Sequence, residues 1–231
     1  MGRKTKVQAA DTRERLLDAA ERVFLAQGVA RTSLTTVAAA AGVTRGAVYW
    51  HFKDKPDLFA AMCQRATLPP DAMLDRAGPQ PQDDPLGTVR VLAVATLTRL
   101  ANDPRTQAVF EVVAHKTELT GELQAVAARQ ERDRRAGEEN VQALFEQAAR
   151  IGQLPADTDA ALAARLVQAS VSGIMRAWVL DKGAYDLAAR ARCLVETMLA
   201  GVAANPPRRS ARIRPRVRPR ADWVAGRVGW P

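Results

Sequence analysis

The chain has 231 residues, enough for a sizeable core in one domain or two. Apolar residues make up 47%, with five Phe, four Trp, two Tyr and 14 Gly; this excludes a disordered chain and favours helices over a β-sandwich or barrel. The formal charge of +9 sits at the two ends: residues 206–231 carry 8 Arg against 1 Asp, residues 1–62 carry 10 basic and 6 acidic side chains, and the stretch between carries 16 and 18.

A basic first block ahead of a near-neutral body points to a polyanion reader joined to something else. No apolar run approaches the roughly 18 to 20 residues a bilayer span needs. The start, "MGRKTKVQAADTRER", is basic with no apolar segment behind it. The expectation is a cytoplasmic protein with no membrane partner. Cys63 and Cys193 fit no metal or redox spacing and read as small hydrophobes.

In chain order, "DTRERLLDAAERVFLAQG" places apolar residues at 16, 17, 20, 23 and 24, the period of an amphipathic helix. Asp11 or Thr12 can cap its start, and Gly28 suits its end. Ahead of it, Arg3, Lys4 and Lys6 read as a loose basic arm, able to follow a phosphate backbone or enter a minor groove. A short helix follows from about Leu34 to Ala41, with Ser33 as N-cap and Gly42 as its stop. Thr44 caps a third helix, about Arg45 to Phe52. A fourth starts with Pro56 in its first position and runs through "DLFAAMCQRA". Five of the 13 prolines then fall between Pro69 and Pro85. Pro69-Pro70 should end or kink that helix, a cost of about 3 kcal/mol or more if it is forced to continue. Further helices are expected near 86–102, 105–116, 118–151, 158–181 and 186–204, with breaks at Pro104, "RIGQLPAD" and "DKGAYD". The chain therefore divides into a unit over 1–66, a Pro-rich joint over 67–85, a helical body over 86–205 and an Arg/Pro-rich tail over 206–231. The tail lacks any period and cannot bury enough surface to order itself.

A short helix, a Gly turn and a second short helix have the spacing of a helix-turn-helix. On the third helix, at 100° per residue, Val48 and Phe52 share one face with Ala47 beside them. That face should pack on Leu34, Val37, Ala38 and Ala41 and on Val23 and Phe24. Arg45, Gly46, Tyr49 and Trp50 then point away. Burying the two rings elsewhere would gain about 1.5–3 kcal/mol each, so their exposure needs a reason. A DNA major groove supplies one. Arg45 can reach guanine O6 and N7. Gly46 and Ala47 allow close approach, and Trp50 can lie on sugars and thymine methyl groups. Tyr49, His51, Lys53 and Lys55 can contact phosphates, with Ser33, Thr35 and Thr44 donating from the flanking helix starts. The start of the fourth helix offers its positive dipole end to a phosphate.

The stretch "RKTK…TRERLLDAAERVFLAQGVARTSLTTVAAAAGVTRGAVYWHFKDKPDLF" resembles the TetR family of bacterial regulators, in particular its AcrR-like branch of multidrug efflux repressors. A weaker resemblance continues through "IGQLPADTDAALAARLVQASVSGIMRAWVL" and "YDLAARAR". It implies an all-α homodimer of about nine helices: three N-terminal helices that read operator DNA, and a larger domain that binds a small hydrophobic effector and dimerises. Carried over by motif match, the DNA-facing positions are Thr35, Thr44, Arg45, Gly46, Ala47, Tyr49, Trp50, His51 and Lys55.

The body then has two roles to fill. On the helix over 158–181, small residues recur at spacing 3–4: Leu162, Leu166, Ala169, Ser170, Gly173 and Ala177. With Leu194 and Met198 of the next helix, they offer either intramolecular core or a symmetric four-helix interface. Candidates for an effector pocket are Val89, Leu92, Ala93, Thr96, Phe110, Val113, Ala114, Val141, Leu144, Gln168, Val171 and Met175, each of which also reads as plain core. His115 stands alone on its helix, and Asp133, Glu138 and Glu139 read as a solvated face. No carboxylate pair, catalytic triad, metal cluster or cofactor motif is present. The resulting expectation is a repressor, not an enzyme, released from a palindromic operator by a hydrophobic, drug-like effector, a cationic one included. The alternatives are a related regulator of a metabolic operon and a non-specific DNA binder driven by the Arg-rich tail.

Overall fold

The computed structural model describes residues 2–66, 83–117 and 121–209. Among them nine α-helices form: α1 (Gly2–Gln27), α2 (Leu34–Ala41), α3 (Arg45–His51), α4 (Lys55–Ala66), α5 (Pro85–Asn102), α6 (Pro104–His115), α7 (Gln124–Arg150), α8 (Ala160–Leu180) and α9 (Leu187–Ala204). A 3₁₀ turn over Gly121–Leu123 leads into α7.

Short polar side chains set most of the helix starts. Ser33, Thr44, Asp84, Asp103, Asp159 and Asp186 each accept a hydrogen bond from a first-turn amide of α2, α3, α5, α6, α8 and α9 respectively. Gly42 ends α2 in the left-handed region, φ +66°, and its N–H reaches the carbonyls of Ala38 and Ala39. A side chain there would be strained, so the turn into α3 depends on glycine. The carbonyl end of α2 also receives two cations from α1. Arg15 Nη2 donates to Ala41 O at 2.8 Å and Arg22 Nη2 to Ala40 O at 3.3 Å. Both charges complement the negative end of the α2 dipole.

Several sequence expectations are corrected. The first helix begins at Gly2, so the backbone at Arg3, Lys4 and Lys6 is helical rather than a loose arm. Asp11 and Thr12 therefore lie inside the helix, and the Thr12 hydroxyl donates back to Gln8 O at 2.9 Å instead of capping. Val23 is only half-buried, while Phe24 is fully enclosed. At the other end, Pro206 is buried, Asp159 N donates to Pro207 O at 2.7 Å, and Arg209 N donates to Asp157 O at 2.8 Å. Arg208 pairs with Asp157 as well. These contacts fasten residues 206–209 to the turn before α8. The rest of the tail and Pro69-Pro70 lie outside the described residues.

Two cores form, and they do not divide at the joint. One joins α1 to α4 around Leu16, Phe24, Phe52 and Phe59, and also takes in Val109 and Val112 of α6 and Val126 of α7. The other centres on Leu97, Phe145, Trp178 and Val195, with Phe110 of α6 packed against it. Residues 109 and 110 point about 100° apart on a helix, so α6 serves both cores. The backbone adds a tie: Val29 N donates to Lys116 O at 3.1 Å, just past the end of α6.

An ionic cluster reinforces this seam. Arg65 Nη1 of α4 meets Asp18 Oδ1 at 2.8 Å and Glu14 Oε2 at 3.0 Å, and Nη2 pairs with Glu21. Arg105 of α6 reaches the same acids, Asp18 at 3.3 Å and Glu21 at 3.9 Å. Arg65 and Glu21 are nearly enclosed, at 10% and 11% side-chain exposure, whereas Glu14 is half exposed. Removing the enclosed cation leaves three acids without their main counter-charge. Arg65→Met is expected to lower the unfolding free energy by about 2 kcal/mol in a urea titration. Glu14→Gln should change it by less than about 0.5 kcal/mol, the scale of an exposed pair.

Candidate nucleic-acid interface and effector cavity

The third helix carries its side chains as its period dictates. Val48 and Phe52 are buried, at 0% and 2% exposure, against Leu34, Val37, Ala38 and Ala41 of α2. Trp50 is 72% exposed and Tyr49 49%. Arg45 and Gly46 are exposed, and Ala47 is half-buried toward the core side. The Arg45 guanidinium lies 5.5 Å from the Tyr49 ring centre, a cation–π contact that pre-orients it. Trp50 meets His51 edge to face, with ring centres 4.6 Å apart. A Cβ built on Gly46 would meet only Thr44 Oγ1, at 3.9 Å. Intramolecular packing therefore does not demand glycine there.

Around α3 the helix starts add short donors. Ser33, Thr35 and Thr44 are exposed. Ser33 Oγ accepts from Thr36 N at 3.1 Å and lies 2.9 Å from the Thr36 hydroxyl. Thr36 is exposed on this face too, and sequence reasoning passed over it; its place three residues after an N-cap serine was the available signal. Arg13 of α1 is a second omission. Its guanidinium lies 5.3 Å from the Phe52 ring centre and its charge acts on His51. Nothing local in the sequence links α1 to that edge of α3. His51 is half-buried, and burial first, then the Arg13 charge, holds its pKa below the ordinary 6.5. The imidazole is thus neutral at pH 7, a donor without a charge.

Two expected phosphate contacts are changed by the fold. Lys55 is half-buried, and its Nζ donates to Val29 O at 3.1 Å and Ala30 O at 3.4 Å. It ties the α1–α2 turn to α4 rather than standing as a free backbone contact. The start of α4 is also occupied by acids: Asp54 Oδ1 accepts from Asp57 N at 2.8 Å and Asp57 Oδ2 from Lys53 N at 3.0 Å. Two carboxylates at those amides oppose a phosphate.

A cavity of about 820 Å³ opens where α4, α5, α6, α7 and α8 meet. Four sequence candidates line it: Thr96, Phe110, Val113 and Met175. Ala60, Cys63 and Ala66 contribute the α4 wall. Cys63 accepts from Gln130 Nε2 at 3.5 Å, and burial pushes its thiol up to about 11, so it stays neutral. The other candidates lie elsewhere. Val89 and Ala93 are buried in the second core, and Val141, Leu144 and Val171 pack against it. Leu92 and Ala114 are half-buried outside the lining. Gln168 faces a separate cleft with Arg134, Glu138 and Arg165. There Arg165 Nε meets Glu138 Oε1 at 2.7 Å, and the hydrogen bonds of Arg165 first and then Arg134 hold the Glu138 carboxyl below the usual range. The period placed these residues on inward faces but could not tell filled interior from void.

On α8, Leu162 and Leu166 are 51% and 46% exposed, and Ala169, Gly173 and Ala177 are exposed beside half-buried Ser170. On α9, Leu194 and Met198 are half-buried, while Leu187, Ala191, Val195 and Val202 turn into the second core. The small-residue stripe is thus an uncovered apolar face in the single chain. A shallow groove runs along it between Leu166, Ser170, Met198 and Gly201.

Comparison with known proteins agrees with this arrangement. Residues 16–62 match the family described as bacterial regulatory proteins, tetR family, and residues 84–203 match the C-terminal region of MAATS-type transcriptional repressors. The chain is 35% identical over 199 residues to the HTH-type transcriptional regulator TtgR of Pseudomonas putida, covering 86% of this chain and 95% of that protein. It is 36% identical over 201 residues to the HTH-type transcriptional repressor BepR of Brucella suis, covering 85% and 94%. Among solved structures, NalD, the secondary repressor of the MexAB-OprM multidrug efflux pump in Pseudomonas aeruginosa, superimposes with a TM-score of 0.76 at 31% identity over 84% of this chain and 96% of that one. A SmeT–triclosan complex gives 0.71 at 31% identity over 83% and 91%. With a helix-turn-helix head, an all-helical body and matches over both, the chain belongs to the TetR family of bacterial transcriptional regulators, which are not enzymes.

Proposed function

We propose that this chain is a cytoplasmic homodimeric repressor of a multidrug efflux operon, released from a palindromic operator when a small apolar effector fills the cavity beside α4. The observation that carries this reading is the outward face of Arg45, Tyr49 and Trp50 on a head that shares its core with α6. Phe110, on the same helix, lines the cavity. The efflux assignment rests on relatives such as NalD, which are named as pump repressors. Among the described residues no helix is long and apolar enough to cross a membrane.

Groove reading by α3 requires two copies, with recognition helices about 34–36 Å apart for successive major grooves. The uncovered stripe of α8 with Leu194 and Met198 supplies a self-complementary face for that pairing. Filling the cavity acts on α6 and α4 together, and both pack into the head. A ligand that favours the released state about 100-fold supplies about 2.7 kcal/mol against DNA binding.

Purified protein is expected to shift palindromic DNA from the promoter region beside its own gene, and triclosan, the ligand of the SmeT complex, to reverse the shift. No shift on any such DNA would overturn the repressor reading. Arg45→Glu should abolish the specific shift while gel filtration still reports the dimer. Trp50→Ala should weaken operator binding at least tenfold yet move the unfolding free energy by less than about 0.5 kcal/mol, because the ring is exposed. A pH series gives a further check. A phosphate set against His51 raises its lowered pKa, so binding takes up a proton and tightens as pH falls from 7.5 to 6. His51→Gln is expected to lose that dependence.

A further inference from the structure

We propose that the effector of this cavity is an apolar molecule carrying one acidic oxygen group, a carboxylate or phenolate, that docks on Arg99. The proposal rests on reading the cavity as the effector site and adds the ligand's charge. Arg99 of α5 lines the cavity with its side chain only 20% exposed. The other charged lining groups, Arg129 and Asp133, lie at the rim, 52% and 73% exposed, and face each other at 3.9 Å. With its amide oxygen turned to the guanidinium, Gln64 also accepts from Arg129 Nη1 and Nη2 at 2.7 and 2.6 Å. The rim pair is thus internally satisfied and screened by solvent. The inner charge is positive.

That inner cation is paired through Nε. Arg99 Nε donates to Thr106 Oγ1 at 3.0 Å and forms an ion pair with Asp103 Oδ2 at 3.7 Å. The Asp103 oxygens are already engaged, Oδ2 with the Thr106 hydroxyl at 2.6 Å and Oδ1 with Arg105 N at 3.1 Å. Arg99 Nη1 is buried with no hydrogen-bond partner among the described residues. A buried donor left without an acceptor is costly, more so on a charged group. Nη1 is enclosed where the side chain stands, so an acid in the cavity meets the guanidinium edge once the side chain turns, and a planar acid matches that edge with two parallel charge-assisted bonds. Phe110, Val113 and Met175 supply the apolar wall for the rest of the molecule. A cationic effector would meet Arg99 with no free interior anion, since the Cys63 thiol stays neutral. The cationic compound that the sequence left open is therefore disfavoured.

The test uses the full chain at pH 7.5 and three probes of one shape: biphenyl-4-carboxylate, biphenyl-4-carboxamide and biphenyl-4-ylmethylammonium. Calorimetric titration is expected to show the carboxylate binding at least tenfold more tightly than the amide, with the ammonium weakest. Arg99→Leu should erase the carboxylate's advantage while amide affinity stays within about threefold, and Arg99→Lys should keep part of it. If Arg99→Leu does not fold, the wild-type ranking still decides the ligand class and Arg99→Lys the residue. Equal or weaker binding of the carboxylate to the wild type overturns the proposal, as does an undiminished preference in the folded leucine variant. If the amide binds and releases DNA but the carboxylate has no advantage, the charge assignment alone falls. If none of the three binds, the effector reading of the cavity falls with it.

Discussion

The structure depends on one helix having two packed faces. Val109 and Val112 of α6 lie in the core of the DNA-reading head, and Phe110 lies against the core of the body. Helical geometry makes this unavoidable once all three positions are apolar and flanked by other helices. The head is therefore not a bead on a string. Its core is completed by a segment that lies beyond the proline-rich joint, and the Arg65–Arg105 cluster on the α1 acids pins the same seam electrostatically.

In the proposed mechanism that arrangement gives cavity filling a physical route to DNA. Part of the cavity wall is built from α4, α6 and Val126 of α7, which also contribute to the core of the head. Packed interiors do not deform smoothly, so a ligand that displaces Ala60 must move a neighbour in the head, and one that displaces Phe110 must shift α6, whose Val109 and Val112 lie in the head core, or be rejected. No special linker is required. The break expected at Pro69-Pro70 need not interrupt coupling, because α4 reaches the cavity through Ala60, Cys63 and Ala66, before those prolines.

The α3 helix shows the complementary economy. Seven residues bury Val48, with Phe52 capping them, and turn Arg45, Tyr49 and Trp50 outward. Two arginines from α1 hold the end of α2, and glycine fixes the turn, so the exposed face rests on a rigid support. Rigid presentation lowers the ordering cost of binding. The same fold withdraws Lys55 from that face, because the carbonyls of the α1–α2 turn lie within reach of its ammonium.

The sequence alone determined the run of nine helices, the Ser33 and Thr44 caps with the Gly42 stop, and the outward face of α3, because helix period, capping chemistry and glycine stops are local. It also marked the small-residue stripe of α8 as apolar, and the single chain leaves that stripe uncovered. Tertiary structure decided what local pattern cannot carry. Which apolar residues border a void rather than fill it depends on the gaps left between five helices, so only Thr96, Phe110, Val113 and Met175 of the expected pocket remained. Which cations stay available depends on carbonyls and carboxylates brought near from distant parts of the chain, and this separated Lys55, held by the Val29 and Ala30 carbonyls, from Arg99, whose Nη1 is unsatisfied.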